Sequence, residues 1–156
     1  MASKKTWREK LMASKDLPKI VLLKDNAQKH WKGRTMAIPS PLEVHEIMAT
    51  VPEGKVTTLG EICQIVARKH GADMGCPLTC GIFSWIAAHA AVEAAAEGER
   101  ETIPYWRTLK MGGALNPKYP GGIEAQKKLL ESEGHQVIQK GRKYLVENYE
   151  NCLLKP

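Results

Sequence analysis

The sequence predicts a mainly α-helical fold with small β elements. Apolar residues recur at three- and four-residue spacing in several stretches, and a residue that typically begins a helix precedes most of them. Short extended stretches lie before, between and after these helices. A content of 43% hydrophobic and 26% charged residues is typical of a globular chain, and 156 residues are enough to bury a core without disulfides.

The N-terminal part of the chain predicts a short helix and a short strand. Residues 4–14 are basic, and Trp7 and Leu11 lie four positions apart, on one side of an amphipathic helix. Residues 19–23, with the sequence KIVLL, favour a strand. Residues 25–33 are typical of a polar connector.

Positive charge is concentrated in this N-terminal part. Residues 1–34 hold ten Lys and Arg residues against three Asp and Glu residues, whereas the whole chain has a net charge of +6. A basic arm on a nearly neutral body suits a polyanion such as nucleic acid, since each neutralised phosphate releases counterions. A solubilising, partly mobile terminus has the same composition, and charge alone leaves both interpretations open.

Two helices with clear start signals follow. Ser40 as the cap and Pro41 at the first helical position predict a helix of about ten residues. After a turn, Thr58 and Glu61 have the spacing of a capping box, in which the hydroxyl accepts from a free backbone amide. They predict a second helix, which Gly71 is well placed to end.

A long, Ala-rich helix is predicted over residues 77–97, after Cys76. One stripe along it carries only small side chains, which allow another helix or a nucleic-acid groove to come close to the backbone. Of these two, the stripe favours helix packing; its residues are Gly81, Ser84, Ala88 and Ala91.

The C-terminal part combines an irregular segment, a helix and a hairpin. Residues 103–122 are rich in Gly and Pro, and an irregular segment of this length inside a compact domain is typically functional. Residues 122–133 predict a helix, and residues 137–139 and 144–146 predict the strands of a hairpin. Three helices followed by a looped wing match the outline of a winged helix-turn-helix module.

Several classes of protein are excluded by composition. We find no apolar run that approaches the ~20 residues of a membrane span and no signal-peptide pattern, so we expect a soluble, cytoplasmic protein, nucleoid-associated if prokaryotic. Four cysteines at these spacings do not predict a disulfide framework. We expect no metal site, no cofactor and a monomer.

Four motifs occur along the chain in a fixed order. They are VPEGKVTTLGEI at residues 51–62, Cys76-Pro77 before the small-residue helix, IPYWR at residues 103–107, and YPGGI with LLESEGH at residues 119–123 and 129–135. This order resembles the C-terminal DNA-binding domain of the O6-alkylguanine-DNA alkyltransferases and their alkyltransferase-like relatives.

The resemblance covers residues 41–135, which we predict to form one winged helix-turn-helix domain. Residues 1–40 are then a basic N-terminal extension. Residues 136–156 are expected to form a C-terminal hairpin and tail packed on that domain.

In this family, the resemblance implies, a flipped guanine enters a pocket, where a Cys activated by His and Glu accepts its alkyl group. Tyr105 stands at the Cys position and Trp106 at the His position, while Glu133 is retained. A phenol is largely protonated at neutral pH and is a poor nucleophile. The chain is therefore similar to the alkyltransferase-like branch, which binds alkylated DNA, transfers no alkyl group and hands the lesion to repair proteins.

Two further departures concern base flipping. Gly81 stands at the position of the family's intercalating Arg, and Leu59 at that of the Tyr that helps to rotate the phosphate. The resemblance implies double-stranded DNA as the partner and a lesion pocket formed by Tyr105, Trp106, Arg107 and Tyr119. It places the DNA-binding surface at Lys55, Thr57, Thr58, Gly81, Ser84, Lys110 and Lys118.

Alternatives stay open at the level of sequence. Cys76 or Cys80, near a helix N-terminus, would be the acceptor if the methyltransferase chemistry were kept. The scaffold would otherwise be repurposed for binding a protein or a small ligand. Tyr105 and Trp106 would then simply fill the former pocket, with Arg107 and Glu133 as a scaffold ion pair.

Overall fold

Five α-helices dominate the computed structural model, which describes residues 6–13, 16–25 and 33–154. They confirm the predicted mainly helical fold with small β elements, and they start and end within a few residues of the predicted limits. The helices are α1 (Trp7–Met12), α2 (Pro41–Ala49), α3 (Leu59–His70), α4 (Pro77–Ala96) and α5 (Gly122–Ser132). The predicted connector at residues 25–33 lies almost entirely outside the described residues.

Seven short strands form three small sheets among these residues. The first sheet has the order β1-β2-β4, antiparallel between β1 and β2 and parallel between β2 and β4; a parallel pair, β3-β5, forms the second. The strands are β1 (Lys19–Leu22), β2 (Thr35–Ile38), β3 (Thr57–Thr58), β4 (Met74–Gly75), β5 (Thr108–Leu109), β6 (Val137–Lys140) and β7 (Lys143–Val146). The third sheet is the predicted hairpin, β6-β7, with Val137 opposite Val146.

The segment predicted as irregular, residues 103–122, is more ordered than expected. It contains β5 between two 3-10 turns, Tyr105–Arg107 and Met111–Gly113. β5 pairs in parallel with β3, which lies far earlier in the chain. A two-residue strand carries no periodicity, so local sequence could not indicate this pairing.

Local capping explains where the central helices begin and end. The Ser40 hydroxyl accepts from Glu43 N at 3.2 Å at the start of α2, and the Thr58 hydroxyl accepts from Glu61 N at 3.3 Å at the start of α3. Gly71 ends α3 with φ of 66°, a left-handed conformation that favours glycine. These contacts confirm the predicted helix signals.

The core lies around α4, against which α1, α2 and α3 pack. The small-residue stripe faces inward, because Ser84, Ala88 and Ala91 are all buried, which confirms helix packing for this stripe. Within the described part of the chain, α4 is the one helix with the length and composition of a membrane span. This corrects the expectation that no segment approaches that length. Three helices pack against α4, as they do against the core helix of a globular domain.

The described part of the basic arm is folded onto the domain. Glu93 on α4 accepts from Trp7 N and Arg8 N at 3.1 Å, and Arg8 forms an ion pair with Glu97. The Trp7 ring stacks on His89 with centroids 4.4 Å apart. α1 therefore lies along the C-terminal half of α4, where it is neither a solvated tail nor near the start of that helix.

A second apolar cluster supports the C-terminal region. It consists of Val56, Leu109, Leu115, Leu130 and Val146. The chain end is paired to the domain, since Val56 N donates to Cys152 O at 2.9 Å and Leu154 N donates to Val56 O at 2.8 Å. This cluster holds β3, β5, α5 and the hairpin together beneath the predicted pocket.

Candidate functional site

The predicted lesion pocket is occupied by its own aromatic side chains. Tyr105 begins the Tyr105–Arg107 turn, and its residue exposure is 6%, while that of Tyr119 is 2%. The Tyr105 ring meets Tyr119 edge to face at 5.6 Å and Trp106 edge to face at 5.4 Å. The fold thus brings together the four predicted pocket residues, but it packs two of them into the core.

Arg107 and Glu133 form a partly buried ion pair next to these rings. Arg107 Nε donates to Glu133 Oε1 at 2.9 Å, and its Nη2 donates to Oε2. The Trp106 indole Nε1 donates to Glu133 Oε1 at 3.0 Å. Arg107 Nη1 also donates to Val51 O at 2.8 Å, which ties the turn to the segment before β3.

These contacts determine the charge state of Glu133. Burial raises the pKa of this carboxyl, whereas hydrogen bonds from Arg107 and Trp106 lower it. The hydrogen bonds together outweigh the burial, so the pKa of Glu133 lies below its ordinary value. The Glu133 carboxylate is then ionised and fully engaged at neutral pH. It acts here as the centre of a structural network, as the scaffold interpretation predicts.

Gln126 is a structural residue of the site that sequence reasoning missed. Its side chain is fully buried, and its Nε2 donates to Trp106 O at 3.1 Å. Its Oε1 accepts from Asn116 N at 2.7 Å. A polar residue at a core-facing position of α5 was the available signal, because a buried amide needs partners on a neighbouring segment.

Tyr119 has a buried hydroxyl for which the structure offers no hydrogen bond of normal geometry. Ser84 and Asn116 are its polar neighbours, but the Ser84 hydroxyl donates instead to Gly81 O at 2.7 Å. Burial is the main cause that raises the pKa of Tyr119 well above its usual value. The phenol therefore stays neutral and does not act as a base.

Neither Tyr105 nor Cys80 has the environment of a reactive nucleophile. Burial raises the pKa of Tyr105, so its phenol is even less nucleophilic than a free tyrosine. Cys80 is completely buried, and a hydrogen bond with the Cys63 thiol raises the pKa of Cys80 far above that of a reactive thiol. Cys76 is also buried.

The predicted DNA-binding residues divide into exposed and buried groups. Lys55, Lys110 and Lys118 are exposed, and Gly81 is half-buried. Ser84 is fully buried with its hydroxyl bonded to Gly81 O, which corrects its assignment to the surface.

Thr57 and Thr58 need the same correction. Their exposures are 3% and 6%, and the Thr58 hydroxyl accepts the hydrogen bond that caps α3. Both threonines of this two-residue strand are buried, and their polar side chains gave no indication of burial in the sequence.

A cavity of about 560 Å³ lies elsewhere, between α1, α2, α4 and residues 99–104. It shares no residue with the predicted lesion pocket. Among the described residues, no three His, Cys, Asp or Glu side chains are grouped so that they could hold a metal ion.

Comparison with known proteins gives one family and two related folds. Residues 39–135 match the family described as 6-O-methylguanine DNA methyltransferase, DNA binding domain. Two crystal structures are similar in fold: S. pombe Atl1 in complex with damaged DNA containing O6-carboxymethylguanine, and S. pombe ATL in complex with DNA.

Both structures are 24% identical to this chain, with a TM-score of 0.51, and the match covers 74% of this chain and 94% of theirs. At this identity the likeness establishes the fold alone. No curated protein sequence matches the chain significantly.

Proposed function

The chain belongs to the family of 6-O-methylguanine DNA methyltransferase DNA-binding domains, and on this premise we propose that it binds double-stranded DNA and transfers no alkyl group. One observation carries the second half of the proposal. The position of the family's nucleophile holds a buried phenol, Tyr105, beside an indole that donates to Glu133. The Tyr105 phenol does not supply the thiol nucleophile, and the Trp106 indole N–H cannot act as the base that takes a proton.

The exposed lysines support the DNA-binding half. Lys55 precedes β3 and Lys110 follows β5, and these two strands pair with each other. Lys118 lies in the loop before α5, where its carbonyl oxygen is 2.8 Å from His89 Nε2 on α4. Ammonium groups of this kind contact phosphates without reading sequence. This placement favours a contact with the DNA backbone.

Recognition of O6-alkylguanine is the finer part of the proposal. It requires the Tyr105 ring to leave its place between Trp106 and Tyr119, because those three rings now contact one another. A Tyr105→Ala variant removes that obstacle. We expect the variant to prefer an O6-methylguanine duplex over an undamaged one more strongly than the wild type does, measured at a temperature where both are folded.

Titration of duplexes with and without O6-methylguanine at 50 and 200 mM salt tests DNA binding. Three phosphate contacts predict a loss of about 40-fold in affinity over this range. Lys110→Ala should reduce the salt dependence, whereas Lys128→Ala, at an exposed lysine on α5, serves as the matched control. Absence of salt-dependent binding contradicts the whole proposal, and equal binding of both duplexes by the wild type and Tyr105→Ala removes only the damage-sensing part.

Mass spectrometry after incubation with the alkylated duplex tests the absence of transfer. An unmodified chain mass is expected, since the thiols of Cys76 and Cys80 are buried. A mass increase of one methyl group on either cysteine would revive the methyltransferase alternative.

A repurposed scaffold is the second candidate function. The filled pocket and the Arg107–Glu133 ion pair favour it, because both are features of a region stabilised as core. It predicts no affinity for either duplex at any salt concentration. The titration above therefore separates the two candidates.

A further inference from the structure

Two thiols meet in the core where α3 packs against α4. Cys63 lies within α3, and Cys80 lies near the start of α4. Their thiol groups share a hydrogen bond, and the two residues are 8% and 0% exposed. Sulfur atoms at hydrogen-bond distance need to approach by only ~1–2 Å to reach the length of a disulfide bond. The proposed function uses neither of these thiols.

Close backbone packing holds the start of α4 beside Cys63. A Cβ on Gly75 would lie 2.3 Å from Cys63 O, so a side chain at this position would prevent β4 from lying against α3. Cys76 N donates to Ala37 O at 2.9 Å, and Cys80 N donates to Cys76 O at 3.0 Å. These bonds fix the first turn of α4, and with it the Cys80 side chain, next to α3.

A cleft gives access to one member of this thiol pair. It has a volume of about 320 Å³ and lies between α3, β4 and the start of α4. Cys63 is one of its lining residues, together with Gly60, Gly75 and Pro77, whereas Cys80 is completely buried and does not line it. A small molecule that enters the cleft therefore meets Cys63 before it meets Cys80.

The hydrogen bond makes the two thiols chemically unequal. The Cys80 thiol donates to the Cys63 sulfur and lowers the pKa of Cys63 below its ordinary value, although burial opposes this effect. The same bond raises the pKa of Cys80, so Cys80 keeps its proton. Redox-sensitive cysteines are typically acidic thiols that have a second, resolving cysteine beside them. Cys63 and Cys80 have these two roles.

We propose that Cys63 and Cys80 form a thiol-oxidation site, at which a hydroperoxide that enters the cleft converts the pair to an intramolecular disulfide. This inference goes beyond the proposed function and does not depend on it. The disulfide would join α3 to α4, the two helices that follow the VPEGKVTTLGEI and Cys76-Pro77 motifs. Oxidation would thus cross-link the helix-turn-helix.

The reaction takes two steps and uses one hydroperoxide. The Cys63 thiolate attacks one peroxide oxygen, the O–O bond breaks, and the other oxygen leaves as hydroxide, which takes up the proton that Cys63 has released. The Cys80 sulfur then attacks the sulfur of the Cys63 sulfenic acid, and the S–O bond breaks. The departing hydroxide takes the Cys80 proton and leaves as water. Two electrons pass from the two sulfurs to the peroxide.

Mass spectrometry of the full, folded chain after reduction and exposure to hydrogen peroxide tests the proposal. The intact mass should fall by about 2 Da as two thiol hydrogens are lost. Trypsin digestion without reductant should give residues 56–68, which hold Cys63, linked to residues 70–100, which hold Cys76 and Cys80. Because the link closes a short loop, the midpoint of thermal unfolding should rise by about 5–10 °C and return on reduction.

Single substitutions identify the partners within the linked peptides. Cys80→Ala should abolish the link and leave a Cys63 sulfenic acid that dimedone traps. Cys76→Ala and Cys152→Ala are the matched controls and should form the link as the wild type does, since neither thiol takes part. Circular dichroism spectra verify that all three variants are folded, and dimedone labelling of the wild type during the first minutes detects the Cys63 intermediate without any substitution.

The outcomes separate this site from the proposed function. A link that persists in Cys80→Ala, or that is lost in Cys76→Ala, assigns the wrong partner and overturns the proposal. Absence of the link in the folded protein, or its formation only in urea, also overturns it. DNA titration of the fully reduced protein tests the proposed function independently, so either result can fail without the other.

Discussion

The predicted lesion pocket differs in burial from the surface that carries Leu78 and Met111. In the pocket, Tyr105 and Tyr119 are buried, and hydrogen bonds hold the partly buried Arg107–Glu133 pair. By contrast, Leu78 is 70% exposed and Met111 is 57% exposed. The side chains at residues 105 and 119 thus belong to the core, whereas those at residues 78 and 111 face solvent.

This difference separates stability from binding. Loss of a buried, bonded group leaves its partners unsatisfied, so substitutions in the pocket should act on the free energy of unfolding. Loss of an exposed side chain leaves no buried group without a partner. Substitutions of Leu78 or Met111 should therefore leave the free energy of unfolding almost unchanged. The following predictions test this separation, beginning with the largest expected change in stability.

Glu133→Ala should produce the largest loss. It leaves the Arg107 guanidinium buried without its partner and removes the acceptor of the Trp106 indole. Because both side chains are largely but not fully buried, we expect a loss of about 2–4 kcal/mol of unfolding free energy. Urea denaturation measures the change, and Glu131→Ala, an exposed glutamate on the same helix, should have little effect. A loss below about 1 kcal/mol would mean that the network is not structural.

Gln126→Ala should follow, with a loss of about 2–3 kcal/mol. The substitution leaves Asn116 N and Trp106 O without partners in a buried environment. Lys128→Ala on the exposed side of α5 controls for helix propensity. If Gln126→Ala matched this control in thermal denaturation, the amide would not be holding the pocket segment to α5.

The pH dependence of stability should be smaller than either loss. The folded pKa of Glu133 is lowered, so its ionised form contributes stability above its unfolded pKa of about 4.3. That contribution is lost as pH falls through the lower folded pKa. Urea denaturation at a series of pH values between 7 and 3 gives the unfolding free energy at each pH. This free energy should fall more steeply with decreasing pH in the wild type than in Glu133→Gln. An unchanged slope in the variant would assign the acid sensitivity to other groups.

Leu78→Ala and Met111→Ala should have the smallest effect on stability, within about 0.5 kcal/mol of the wild type. Both side chains are largely in water already, so little apolar burial is lost. Thermal denaturation in the absence of DNA measures this. A decrease of more than about 1 kcal/mol in the unfolding free energy of either variant would show that the substituted side chain contributes to the core. The difference between the two regions would then disappear.

Much of the fold follows from local signals. Ser40, Thr58 and Gly71 mark the limits of α2 and α3, since a cap or a left-handed residue acts through its immediate neighbours. The hairpin follows from two extended runs joined by a short turn. The motif order also predicted that Arg107 and Glu133 belong to one site, and they form an ion pair there.

Other features were beyond such signals. The burial of Ser84 depends on which face of α4 receives α2 and α3, and small residues suit either a core or a surface. The pairing of β5 with β3 joins strands about fifty residues apart in the chain. The position of α1 depends on a carboxylate of α4, Glu93, that caps it from a distant part of the chain.

The sequence by itself determined that this chain is a mainly helical domain, and the resemblance of its ordered motifs determined that Tyr105 and Trp106 stand at the family's Cys and His positions. Helix limits and reactivity depend on groups that are adjacent in the chain or intrinsic to one side chain. Only the tertiary structure decides that the Tyr105 ring is buried against Tyr119 and that Leu78 and Met111 remain exposed. Both depend on burial, which is set by segments that meet only after the chain has folded.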